Sequence, residues 1–180
     1  MLLNKKIIFV FFSNSKFFYL HLDYQIKFFQ SALGFLKEIG ITVVETKKVK
    51  GLMPGITIDK GIILLDRVAL LYPGDLLHKG RHLAIIPVAE RKWLNNSLIS
   101  ERENAPEEEM MAIVWSYAVW LHLKIEPEFV FHEQGYKGGA QSILDNFKEG
   151  RYFGVPMLVY HNLCNAPEKG GYPVMKKWCL

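Results

Sequence analysis

Tyr72-Pro73-Gly74-Asp75-Leu76-Leu77-His78-Lys79-Gly80-Arg81-His82 combines a helix-start signal with two histidines four residues apart. Proline suits a first helical turn, and an aspartate beside it favours the N-terminal dipole. The helix is expected to run from Asp75 to about Ile86 and to stop before Pro87. On such a helix His78 and His82 share one face, one above the other. Zinc accepts imidazole nitrogen in tetrahedral geometry, and a catalytic site needs three protein ligands and one open position. The pair supplies two of the three. Taken alone, two histidines at this spacing are more often ordinary polar side chains on a half-exposed helix.

Working outward, Ile56-Thr57-Ile58 and Ile62-Ile63-Leu64-Leu65 flank Asp59-Lys60-Gly61, which predicts a hairpin. The β-branched stretch Ile41 to Glu45 predicts a further strand, and Pro54-Gly55 marks a turn. Leu22 to Ile39 places Ile26, Phe29, Leu33, Leu36 and Ile39 at three- and four-residue steps, with Asp23 to cap the helix and Gly40 to end it. Beyond Pro87, the polar segment Ala89 to Asn104 reads as loop or a frayed turn. Pro106-Glu107-Glu108-Glu109 opens a third helix through Leu123, with Met110, Ile113, Val114, Tyr117 and Leu121 as its buried stripe. A shorter helix is expected over Ala140 to Lys148. Pro156 to Leu163 is a further apolar segment, and Tyr172 to Trp178 reads as a closing short helix. These elements make one α+β domain, several helices with a small, mostly antiparallel sheet.

The composition fits a globular chain. Half of the 180 residues are hydrophobic and 22% are charged. The net charge of +4 comes partly from Lys47, Lys48, Lys50, Lys176 and Lys177, which form no basic stripe with interleaved aromatics, so no nucleic-acid partner is expected. Cys164 and Cys179 form no Cys-x-x-Cys pair, which argues against a thiolate zinc site and for reduced cysteines in a cytoplasmic protein. The apolar run Ile7 to Phe12 is too short for a signal peptide or a membrane span, so no membrane role is expected. Residues 1–23 read as an N-terminal extension, either an added strand or a poorly ordered segment, ahead of a domain over 24–180.

The histidine helix and the segment after it resemble metallopeptidases of the IrrE/ImmA-like kind. In that family a His-Glu-x-x-His helix is succeeded by a loop and a second helix that carries a glutamate ligand. Here Glu109 begins the next long helix, with Ala112, Trp115 and Ser116 after it in similar order. Ile62 to Asp66 and then Tyr72 to His78 also resemble the family's strand and helix start. The resemblance covers roughly Tyr24 to Leu180, and its specific part is Ile56 to Tyr117. It implies a zincin-like fold and a Zn2+ site formed by His78, His82 and Glu109. The plain alternative for Glu109 is a helix-start acid among Glu107 and Glu108, which are competitors for any metal role.

Two departures from the family pattern bear on activity. The residue after the first histidine is a glutamate general base in the family, and here it is Lys79, an ammonium with donors and no acceptor. Arg81 stands where a small residue is usual and adds another positive charge near the site, although its long side chain can point to solvent. This leaves three outcomes. The site keeps zinc without hydrolysing peptides, or Lys79 pairs with Glu109 and replaces the metal, or another group supplies the base. The resemblance together with Lys79 implies a non-proteolytic binding or regulatory protein, with a protein or peptide in the former substrate cleft. The alternatives are an active zinc-dependent peptidase and a metal-free structural or interaction protein.

Among the remaining candidates, Tyr136 lies in the flexible stretch Gly135-Tyr136-Lys137-Gly138-Gly139 and can donate a hydrogen bond near the cleft. The P-loop spacing is absent there. His122 reads as a core or boundary residue, and His132 and His161 have no partner at a recognisable spacing. Trp115, Tyr117 and Trp120 read as core, and Ser116 and Ser142 lack a nucleophile-elbow context.

Overall fold

A computed structural model describes residues 15–136 and 138–180, with side chains from residue 23 onward. The stretch Ile7 to Phe12 lies outside the described residues. Along the chain the order is α1 (Ser15–Glu38), β1 (Val43–Glu45), β2 (Ile56–Asp59), β3 (Ile62–Leu65), α2 (Asp75–Ala84), α3 (Val88–Arg91), α4 (Asn96–Ser100), α5 (Ala105–Leu123), α6 (Pro127–Val130), α7 (Ala140–Lys148) and α8 (Val155–Tyr160). The α+β class is as expected. No described helix is long and apolar enough to cross a membrane.

The sheet order is β1-β3-β2. The β2–β3 hairpin forms as expected, with Ile58 opposite Ile63 and Thr57 opposite Leu64. Lys60 and Gly61 both have positive φ, as a two-residue primed turn requires. The expectation of a mostly antiparallel sheet needs correction, because β1 runs parallel to β3. The chain crosses from β1 to β2 by a loop and then returns, which leaves β3 central. Along β2 the outward edge is closed by Asn96 of α4. Its Oδ1 accepts from Ile58 N–H at 3.4 Å, and its Nδ2 donates to Thr57 Oγ1 at 2.6 Å.

Helix α2 is the centre of the fold. It packs against α1, α5 and β2. Leu76, Leu77, Leu83 and Ala84 are fully buried on it. Gly80 lets α1 come close, since a Cβ there would stand 2.5 Å from Leu36 Cδ2. Gly74 is more constrained still, because a Cβ there would run into the Phe129 carbonyl oxygen. The C-terminal segment closes the far end of α2. Leu180 N–H donates to Ala84 O at 3.0 Å, and buried Arg91 donates to Ile86 O at 3.0 Å and Leu180 O at 3.1 Å. Arg91 thereby satisfies carbonyls at a helix end that would otherwise be orphaned.

Several boundaries differ from expectation for physical reasons. Helix α1 starts at Ser15, so Asp23 lies inside it rather than at its cap. Its buried face is Phe28, Phe29, Ala32, Phe35 and Leu36, while Ile26 is exposed. Gly40 does end the helix, with φ +80° and Ile41 N–H donating back to Leu36 O. The polar stretch after Pro87 holds two short helices rather than loop. Asn95 caps the second by accepting from Leu98 N–H at 2.9 Å. Helix α5 is buried around most of its girth, so Met111, Ala112 and Trp115 are core while Met110 and Leu121 are exposed. A stripe pattern finds one face of a helix and fails when neighbours cover several. No helix forms over Tyr172 to Trp178. That segment is held by tertiary bonds, with Trp115 Nε1 donating to Trp178 O at 2.9 Å and Tyr172 OH to Val114 O at 2.8 Å.

Candidate functional site

On α2, residues Asp75, His78 and either Arg81 or His82 succeed one another at steps of three and four, which stacks them along one face. The facing helix α5 brings Glu109 from its first turns, and the 3-10 turn Glu133–Tyr136 brings Tyr136. The expected site residues therefore converge. The rings of His78 and His82 lie 5.3 Å apart between centroids, and His78 and Tyr136 lie 5.8 Å apart. His82 Nε2 stands 3.8 Å from Glu109 Oε2, too far for a hydrogen bond.

At the centre of this group is the guanidinium of Arg81. Its Nη2 donates to Glu109 Oε1 at 2.7 Å and contacts His78 Nε2 at 3.3 Å, and its Nη1 donates to Tyr136 OH at 3.0 Å. The same group lies 4.9 Å over the Tyr136 ring. Arg81 thus brings its positive charge to the site, as expected, and its side chain does not point to solvent, being 1% exposed. The step of three from His78 to Arg81 directs it inward, and Glu109 offers a planar acceptor that suits a guanidinium fork.

The hydrogen-bond chemistry fixes the tautomer of His78. A guanidinium only donates, so His78 Nε2 must present its lone pair and Nδ1 must carry the proton. Among the described residues that Nδ1 has no partner, and neither has Arg81 Nε. Burial, reinforced by the charge of Arg81, holds both His78 and His82 well below the usual histidine range. Both rings are neutral at physiological pH.

Lys79 is buried, and burial lowers its ammonium from the usual lysine value against the opposing pull of Asp75. Among the described residues it forms no ion pair with Glu109, so the carboxylate's cationic partner is Arg81 rather than Lys79. Tyr136 is also pushed up by burial and keeps its proton. Its hydroxyl accepts from Arg81, and the buried Ser116 hydroxyl is a second hydrogen-bonding neighbour. Glu108 is drawn away from the group by Arg102, whose Nε donates to it at 2.9 Å.

The neutral imidazoles and the carboxylate are the donor set a zinc ion uses. As folded, however, they do not fit one. The lone pair of His78 Nε2 and one oxygen of Glu109 are both spent on a cation that stands between them. Among the described residues no three His, Cys, Asp or Glu side chains are grouped to hold a metal ion.

One functional-looking pair was not legible from spacing. His132 Nε2 donates to Asp75 Oδ1 at 2.9 Å, across 57 residues of chain, and the His132 ring stacks on Tyr72 at 4.6 Å. His122 packs against Phe35 and Trp178, in keeping with a boundary residue.

Compared with known proteins, the chain matches no family model, no curated protein and no solved structure.

Proposed function

We propose that this chain is a metallopeptidase-like domain that does not hydrolyse peptides and serves as a binding or regulatory protein, taking a protein or peptide beside α2. The observation that supports this reading is the Arg81 guanidinium bonded to Glu109, His78 and Tyr136. Metal-assisted hydrolysis needs an ion with an open position and a base beside its water. A divalent ion among His78, His82 and Glu109 would have to displace a buried cation and then face the second cation of Lys79. At the position of the base, a lysine ammonium offers donors only. The guanidinium supplies the positive charge that orders Glu109 and the neutral rings, so the fold needs no metal to hold this polar group.

The test is a peptidase assay with added zinc on unfolded protein substrates, using the intact chain and its Lys79→Glu/Arg81→Gly variant. No turnover by the intact chain is expected, and zinc uptake by the double variant is expected. Zinc-dependent turnover by the intact chain that is lost in His82→Ala would instead support a working peptidase.

A further inference from the structure

A cavity of about 220 Å3 opens next to the site, between the loop before β2, the segment before α2 and the 3-10 turn. Leu52, Met53, Leu71 and Tyr72 give it apolar lining, and Asp75, His132 and Gln134 give it polar lining. Leu52 is 96% exposed.

The Asp75 side chain has one hydrogen-bond partner among the described residues, His132. Gly135 N–H donates to His132 Nδ1 at 3.2 Å, so that nitrogen presents a lone pair and the ring proton is on Nε2, where Asp75 accepts it. Protonating Nδ1 would set two donors head-on. The ring cannot swing aside easily, since Tyr72 stacks on one face and Gly135 abuts it so closely that a Cβ there would stand 2.9 Å away. His132 therefore meets Asp75 as an N–H donor. Among the described residues, no other group hydrogen-bonds Asp75 and no cation pairs with it. Lys79, one turn further on, interacts with it only through space. The helix dipole offsets about half a charge. What remains is a carboxylate that is 1% exposed, keeps acceptor capacity on its second oxygen, and lines an apolar cavity. Buried charges are normally paired.

From this we infer that the cavity binds a primary ammonium carried on a short apolar chain, with Asp75 accepting from the ammonium and Met53, Leu71 and Tyr72 covering the carbons. The inference stands apart from the Arg81 cluster and does not need the proposed loss of hydrolysis. The shared chemistry can come from a free amine or from a lysine side chain of a protein.

The experiment titrates the intact protein with n-butylammonium and, in parallel, with 1-butanol, reading amide chemical shifts. Butylammonium is expected to bind about tenfold more tightly, the difference between a charge-assisted and a neutral hydrogen bond. Asp75→Asn should abolish that preference. Met53→Trp, which leaves the Asp75–His132 pair untouched, should fill the cavity and abolish binding, and it serves if the first variant does not fold. Equal binding of amine and alcohol, no binding of the amine, or undiminished binding by Met53→Trp would overturn the inference. An N-acetylated lysine peptide that competes with butylammonium assigns the site to a protein side chain, and failure to compete assigns it to a free amine.

Discussion

Glu109→Ala is expected to cost more stability than Arg81→Met, although the two residues form one pair. The asymmetry comes from exposure. Glu109 has 43% of its side chain exposed and Arg81 has 1%. Removing Glu109 strands a guanidinium among a neutral ring, a phenol and apolar walls, and an orphaned buried charge costs about 3–5 kcal/mol. Removing the guanidinium while keeping its stem volume leaves Glu109 free to turn to water. The loss is then the charge-assisted bonds of the guanidinium, about 1.5–3 kcal/mol. The expected gap is about 1–2 kcal/mol, which at this chain length is about 2–8 °C in melting temperature. Urea and thermal unfolding in the presence of a chelator read it directly. The double variant should be clearly less destabilised than the sum of the singles, because its second change removes a group already stranded. Arg81→Met unfolding before Glu109→Ala, or strict additivity, would refute the claim that the two groups are bonded in this asymmetric burial.

Acidification should weaken the fold. His78 and His82 are held below their ordinary range, so below about pH 6.5 the unfolded chain binds protons that the folded chain does not. Stability is full above that pH and falls as pH drops, by about 1.4 kcal/mol per pH unit for each ring, until the folded rings also titrate. Denaturant midpoints across this range should fall in the intact chain and flatten in His78→Gln/His82→Gln. Tyr136→Phe removes the acceptor for buried Arg81 Nη1 while keeping the ring, and is expected to cost about 1–3 kcal/mol in urea unfolding. Gly80→Ala should destabilise by about 1–3 kcal/mol despite better helix propensity, because the methyl meets buried Leu36. An unchanged melting temperature would show that α1 and α2 can separate there.

The parts of the fold that were legible in the sequence are those whose signals are local. The β2–β3 hairpin has its turn residues between two apolar runs, and α7 forms over Ala140–Lys148 as read. The parallel pairing of β1 depends on where the chain goes after Glu45, which no local pattern records. Helices α3 and α4 are too short and polar for periodicity to find. In the site, His82 approaches Glu109 to 3.8 Å and Arg81 bridges His78 and Glu109, so the positive charge near the site was legible and its inward direction was not. Arg81 lies three residues from His78 and so shares its face, a signal that was present and was outweighed by the habit of long charged side chains to reach water. Asp75 continues the same face one turn earlier. Its partner His132 comes from a distant turn, and only folding brings the two together.

The Arg81 guanidinium lies among His78, Glu109 and Tyr136, where we propose that it takes the place of a metal ion. Zinc content of the chelator-treated protein after re-equilibration with micromolar zinc tests it most directly. No stoichiometric zinc is expected in the intact chain, with a gain on Arg81→Gly. One zinc per intact chain, lost on His82→Ala, would contradict it.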